Sequence, residues 1–263
     1  MKVHYVDHMG SDLSVVNAAR VSFGKRSEQL TEKDKGLIRF LARGCTKGDW
    51  DKLIEDMLDQ GGARQALWDQ HPDATHEHDS VWEEMVHLAQ HLRRMPTHWT
   101  PFGHTAITLH IKAPIFVARQ LGKHQVGMVW NEVSRRYVTE DPEVYVPEIW
   151  RQAAENVKQG SSDEPVADTE YWNQHYLLAC ERANETYEHM IYEGICPEQA
   201  RMVLPQSMYT EWYWTGNLYS YANVFIQRSD SHAQKEVQQI AEQIDHIIMP
   251  LFPISWPALT RGA

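Results

Sequence analysis

Residues 104 to 111, HTAITLHI, alternate Ile107, Leu109 and Ile111 with Thr108 and His110. A period of two places apolar side chains on one face of a strand and polar ones on the other. Such a strand is stable only where neighbouring strands and a covering layer take up its apolar face. Pro114 then suits the first position of a helix, IFVARQLGKH, because that position has no use for a backbone N–H. Further along, Thr169 opens a long helix in which Trp172, Tyr176, Cys180, Ala183, Tyr187 and Ile191 recur every three or four residues, ending near Gly194. NLYSYANVFIQR and SHAQKEVQQIAEQIDHII read as two more helices. Two capping-box patterns precede apolar runs: Thr31 with Asp34 before Leu37, Ile38 and Leu41, and Ser80 with Glu83 before Met85, Leu88 and Leu92. HPDATHEHDS between them reads as an exposed loop, and GSSDEPVAD, residues 160 to 168, as a linker too short to divide the chain. With no internal repeat, these signals predict one α+β domain over residues 1–263.

A chain of 263 residues, 42% apolar and 23% charged, can bury a substantial core. Its net charge of −11 argues against a surface that coats nucleic acid, which needs an excess of Lys and Arg to displace phosphate counterions. An anionic ligand must therefore be held by a local basic cluster. No apolar run approaches the roughly 20 residues that span a bilayer. The N-terminus, MKVHYVDHMG, lacks the apolar block of a signal peptide, so the expected location is cytoplasmic, with no membrane partner. Cys45, Cys180 and Cys196 have no C-x-x-C spacing and are expected to be reduced.

Fifteen histidines raise the question of a metal. Glu84 and His87 have E-x-x-H spacing, with His91 one turn further on. A di-iron site needs a second such pair, and HLAQH lacks the glutamate of a zinc hydrolase. His71, His76 and His78 read as solvated loop residues, and no resident metal is expected. G-x-G-x-x-G, phosphate-loop and G-x-S-x-G motifs are absent. What remains is two arginine-bearing clusters, Arg119 to Arg136 and Arg201 to Arg228. Guanidinium forks suit bidentate recognition of phosphate or a carbonyl edge, although surface ion pairs use the same residue types.

The block RQLGKHQVGMVWNEVSRRY, residues 119 to 137, resembles the signature of the flavin-dependent thymidylate synthases, an R-H-R triplet followed by serine in an N-E-x-S-x-R-Y context. Lys123, His124 and Gln125 stand at the triplet, and eight residues separate Gln125 from Ser134. HWTPFGH, AARVSFGK, ARMVLP and TGNLYSYANVFIQRSDSHAQ are also similar to blocks of that family, in the family's order. The resemblance implies a central, mostly antiparallel sheet flanked by long helices. It further implies reductive methylation of dUMP to dTMP, with FAD as cofactor, NADPH as reductant and methylenetetrahydrofolate as carbon donor, in a homotetramer whose sites are shared between subunits.

By the same resemblance Gln120, Lys123, Glu132, Ser134, Arg135, Arg136, Arg201 and Arg228 would hold dUMP. Thr100, Lys123, His124, Gln125, Glu132, Asn217, Tyr219 and Asn223 would hold FAD, with Glu132 bridging the two. Arg228 is the implied catalytic group. A guanidinium keeps its proton and can stabilise negative charge developing on the uracil ring. Ser134 has no base at a spacing that would activate it as a nucleophile, so it is assigned to binding. The chain departs from the family pattern at Lys123, Gln125, Tyr219 and Gly103, where the family usually carries three arginines and a glutamate. Tyr219 could recover contact by stacking on the adenine. Two other readings stand beside this one, a uridylate-binding regulatory protein without catalysis and a metal-dependent helical hydrolase; bound flavin would discriminate against both.

Overall fold

The structure, a computed structural model, describes residues 1–44, 98–138, 141–154 and 161–262. The predicted helix after Ser80, the loop HPDATHEHDS, Cys45, and Glu84, His87 and His91 lie outside the described residues. The protein is a mixed helix and sheet structure with a central antiparallel sheet. It gathers into two compact units, Met1–Met9 with Ala106–Ile247, and Gly10–Thr105 with Ile248–Ala263.

The first unit is built on a four-stranded sheet of β1 (Lys2–Met9), β2 (Ala106–Pro114), β3 (Met128–Glu132) and β6 (Tyr209–Gly216), in the order β1-β2-β6-β3. Every pairing is antiparallel, with Leu109 opposite Trp214, Ile111 opposite Trp212 and Trp130 opposite Trp214. Strict alternation in β2 buries Ile107, Leu109 and Ile111 on the same face as Trp212 and Trp214. Burial of each aliphatic side chain contributes about 1.5–3 kcal/mol. The predicted strand is thus present, shifted two residues onward from its expected start.

Pro114 is the N-cap of helix α3 (Ile115–Leu121), one position before the place expected for it. The helix stops at Leu121, short of the predicted His124, because the N–H groups of Lys123 and His124 bond to Gln120 and Leu121, three residues back, in place of the helical partners four back. The residues expected to link two segments instead form β5 (Ser161–Pro165), paired with β4 (Arg151–Ala153). Backbone pairing across a hairpin cannot be seen in a polar segment with no apolar alternation.

Helix α4 (Thr169–Tyr192) starts where expected, with the Asp168 carboxylate accepting from the Tyr171 N–H at 2.9 Å. Only part of its predicted stripe is buried. Cys180 and Tyr187 are, whereas Trp172 is 52% exposed. Asn173 takes the inward place instead and accepts a hydrogen bond from Trp150 Nε1 at 2.7 Å. A short helix, α5 (Pro197–Ala200), follows it. Two longer helices complete the unit's pattern, α6 (Leu218–Arg228) and α7 (Lys235–Leu251). Helix α6 is tied to the sheet where the buried Tyr221 hydroxyl donates to the Trp214 carbonyl at 2.7 Å.

In the second unit the Thr31–Asp34 capping box forms as predicted and opens α2 (Glu32–Ala42) after α1 (Asp12–Arg20). The buried Asp12 carboxylate accepts from the N–H groups of Ile254 and Ser255, both at 2.9 Å, at the start of α8 (Ser255–Thr260).

Candidate active site

Glycine decides the path of the chain after α3. Gly127 has φ +70°, and a Cβ there would lie 2.3 Å from Ser220 Oγ and 3.0 Å from Asn217 Nδ2. Only glycine lets this loop close on the start of α6. One residue later β3 begins, and opposite it a Cβ on Gly216 would meet Met128 Sδ at 2.1 Å. Gly127 thus tolerates no side chain, whereas a Cβ on Gly216 would require the flexible Met128 thioether to move away.

At the far end of α6 the last residue, Arg228, reaches the same loop. Its Nε donates to His124 Nε2 at 2.8 Å and its Nη2 to the Gln120 carbonyl at 3.1 Å. Among the described residues Nη1 has no partner. Burial, and secondly the charge of Arg228, push the His124 pKa down to about 4. The imidazole is therefore neutral at pH 7. Its Nε2 lone pair accepts from the guanidinium, which leaves the ring proton on Nδ1. Burial also lowers the pKa of Arg228, which still remains a cation at any ordinary pH.

Beside this pair lies a cleft of about 600 Å³ whose lining includes Arg119, Lys123, His124, Gln125, Trp130, Glu132 and Trp214. Trp130 stacks on Trp212 with centroids 4.2 Å apart and planes 16° from parallel. The Glu132 carboxylate is fixed on both oxygens, by Thr210 Oγ1 at 2.6 Å and by Trp130 Nε1 at 3.1 Å. The half-buried Trp130 indole, a neutral imidazole, an amide and two cations match a ligand with a flat ring system and phosphates, while Trp214 is fully buried behind them. The residues fit part of a flavin dinucleotide on these grounds.

The remaining predicted residues fall elsewhere. Ser134 Oγ accepts from Arg136 Nε at 3.1 Å, the Arg136 guanidinium lies 3.8 Å from the Glu198 carboxylate, and Arg201 Nε donates to the Glu198 carbonyl at 3.3 Å. Ser134, Arg136 and Arg201 thus meet around Glu198, with both arginines exposed. Arg135 instead lines a second cleft of about 460 Å³ with Lys112, Tyr209 and Glu211. Asn217 is the N-cap of α6, its Oδ1 accepting from the Ser220 N–H at 2.8 Å, and Asn223 Nδ2 donates to the Tyr219 carbonyl at 3.1 Å. Thr100 opens the 3₁₀ turn Thr100–His104 of the second unit. In that turn a Cβ on Gly103 would press on the Trp99 ring at 3.3 Å.

Sequence reasoning missed Thr210, Trp130 and a half-buried chain that starts at Gln120. Gln120 Nε2 donates to Gln234 Oε1 at 2.5 Å, Gln234 Nε2 to Glu236 Oε2 at 2.8 Å, and Arg151 Nη2 to both Glu236 oxygens at 2.9 and 3.1 Å. The one available signal was that Gln234 ends the family-like block RSDSHAQ. Among the described residues no group of three His, Cys, Asp or Glu is arranged to hold a metal, and no helix is long and apolar enough to cross a membrane. Cys180 is buried and Cys196 exposed, both as free thiols.

An arginine braced beside a cationic cleft, on an antiparallel sheet with helices, is an arrangement suited to a flat ligand that carries phosphates. The family model described as thymidylate synthase complementing protein matches residues 4–254. The flavin-dependent thymidylate synthase of Thermosipho africanus is 34% identical over 262 residues, 98% of this chain and 90% of that protein. That of Thermotoga neapolitana is 32% identical over 261 residues, 99% of this chain and 91% of the relative. The structure of a UMP/dUMP methylase, PolB, from Streptomyces cacaoi, bound with 5-Br dUMP, aligns with a TM-score of 0.71 at 27% identity, covering 99% of this chain and 94% of PolB. The chain belongs to the flavin-dependent thymidylate synthases, a family of methyltransferases.

Proposed function

We propose that the protein methylates dUMP to dTMP, with FAD as its cofactor, methylenetetrahydrofolate as carbon donor and NADPH as reductant. The observation that carries this reading is Arg228, a guanidinium braced by His124 and the Gln120 carbonyl with Nη1 left for a ligand. Aimed at the carbonyl edge of uracil, Nη1 stabilises the negative charge that accumulates as the ring loses its N3 proton, and C5 becomes nucleophilic towards the methylene group. Because two of its nitrogens are already held, the group need not reorganise when that charge develops.

Bound FAD, once reduced, would supply the electrons needed to turn a transferred methylene into a methyl group. Lys123, His124 and Gln125, which line the cleft, would hold the cofactor, and Glu132 would contact both it and the nucleotide. Asn217, Tyr219 and Asn223 would also hold the cofactor, and the resemblance alone adds Thr100. Ser134, Arg135, Arg136 and Arg201 take the nucleotide phosphate and its surroundings, and the hydrogen bond that Ser134 accepts from Arg136 suits binding better than nucleophilic attack. The grouping of Arg136 and Arg201 away from the residues that line the 600 Å³ cleft supports a homotetramer in which one subunit completes another's site. A cytoplasmic location is part of the same proposal.

The test is absorbance of the purified protein with and without added FAD, followed by an assay of dTMP formation from dUMP. Stoichiometric flavin and turnover dependent on methylenetetrahydrofolate and NADPH are expected, and sedimentation should give the tetramer mass. Protein that takes up no flavin at saturation overturns the reading.

A further inference from the structure

We infer that Gln234, Glu236 and Arg151 form a polarity relay that fixes which way the Gln120 amide faces, and so presents its oxygen as an acceptor to a donor group of the bound nucleotide. The inference rests on the function proposed above and adds three positioning residues to it.

A primary amide has a donor end and an acceptor end, and a free glutamine samples both orientations. A carboxylate has no such choice. Glu236 is 4% exposed and takes Arg151 Nη2 on both oxygens, so it can offer its neighbours only acceptors. Gln234 must therefore turn its NH2 group to Glu236, where Nε2 and Oε2 are 2.8 Å apart. That turn leaves Gln234 Oε1 facing Gln120, and Gln120 must in turn donate through Nε2. The alternative orientation of either amide would set NH2 against NH2, or oxygen against carboxylate, in a half-buried chain. Each such mismatch leaves a polar group desolvated without a partner, which is costly. The relay thus ends at Gln120 Oε1, which has no donor among the described residues and is not among the buried unsatisfied atoms.

The residue that carries this end also touches Arg228. The backbone carbonyl of Gln120 accepts from Arg228 Nη2, so one residue carries both a brace for Arg228 and the terminal acceptor of the relay. The buried Arg151–Glu236 pair is, on this account, an anchor for orientation.

The test compares dUMP affinity by calorimetry, steady-state KM and kcat, flavin content and melting temperature in the flavin-loaded enzyme and three variants. Glu236→Gln gives position 236 an NH2 group, so both polarities of the chain become available. The dUMP Kd and KM should rise about fivefold to tenfold, with kcat changed less and flavin content unchanged. The double variant Gln234→Glu, Glu236→Gln moves the acceptor-only group one place along. A carboxylate at 234 accepts from both neighbours, the amide of Gln120 is again forced to donate, and affinity should return to within about twofold of the parent. A residue that merely supports packing would show no such rescue. Gln234→Met leaves the Arg151–Glu236 pair intact, cuts the chain, and should reproduce the loss even if Glu236→Gln fails to fold. Unchanged dUMP affinity in Gln234→Met, or a folded double variant that recovers nothing, overturns the relay. If the parent enzyme itself binds no dUMP, the proposed function falls and the relay with it, an outcome distinct from failure confined to the variants.

Discussion

Arg228 and His124, 104 residues apart in the chain, are joined by a hydrogen bond of 2.8 Å from the guanidinium Nε to the imidazole Nε2. The contact needs a neutral histidine, which burial and the arginine's own charge ensure. It makes the central histidine of the K-H-Q triplet a brace for Arg228, the cation proposed to act on the uracil ring, as well as a wall of the cleft.

Arg228→Ala should abolish dTMP formation while leaving flavin bound. Loss of one preorganised donor to a developing anion costs on the order of 3 kcal/mol, or at least a hundredfold in rate. Flavin absorbance and single-turnover assay of the same preparation check both halves. Near-normal turnover, or loss of flavin with dUMP binding intact, would show that the role is misassigned.

Gln125→Ala should act the other way. Gln125 is exposed on the lining of the cleft, and its removal should weaken FAD about tenfold with a smaller effect on dUMP, the scale of one or two hydrogen bonds. Separate titrations with each ligand distinguish this from general damage.

Acid should loosen the His124–Arg228 contact. The folded-state pKa of His124, about 4, lies below its ordinary value of 6.5, so between these values the unfolded chain binds more protons than the folded one. His124 therefore makes stability fall as pH drops from about 6.5 towards 4, and has no such effect above that window. A His124→Asn variant should lose less stability on acidification than the parent. Parallel melting curves across this range would refute the assignment if their slopes coincide.

Gly127→Ala combines a left-handed backbone position with a collision on Ser220 and Asn217. Destabilisation on the order of 2 kcal/mol is expected, a fall in Tm of roughly 4–8 °C in a chain of this size. Because Asn217 caps α6, the helix that carries Arg228, turnover should fall further than Tm alone explains. Gly24→Ala, at φ +64° with nothing within 4 Å of the added carbon, serves as the control for backbone strain without collision.

The sequence by itself determined whatever depends on neighbours along the chain. The alternation at Ile107, Leu109 and Ile111 marked a half-buried strand, Thr31 and Asp34 a helix start, and the apolar stripe through Cys180 and Tyr187 a long helix. Ordered blocks such as RQLGKHQVGMVWNEVSRRY carried the family, because residue types at fixed spacings survive in the chain whatever the backbone does. Tertiary structure alone decided that residues 161 to 165 pair as a strand, that Asn217 caps a helix, and that Arg136 and Arg201 meet at Glu198. It alone joined Gln120 to Gln234, 114 residues away, and Arg228 to His124. Periodicity reports which face of an element is apolar. The partner of a polar side chain on another element depends on how the two pack, and on the desolvation that makes an unpaired donor or acceptor costly.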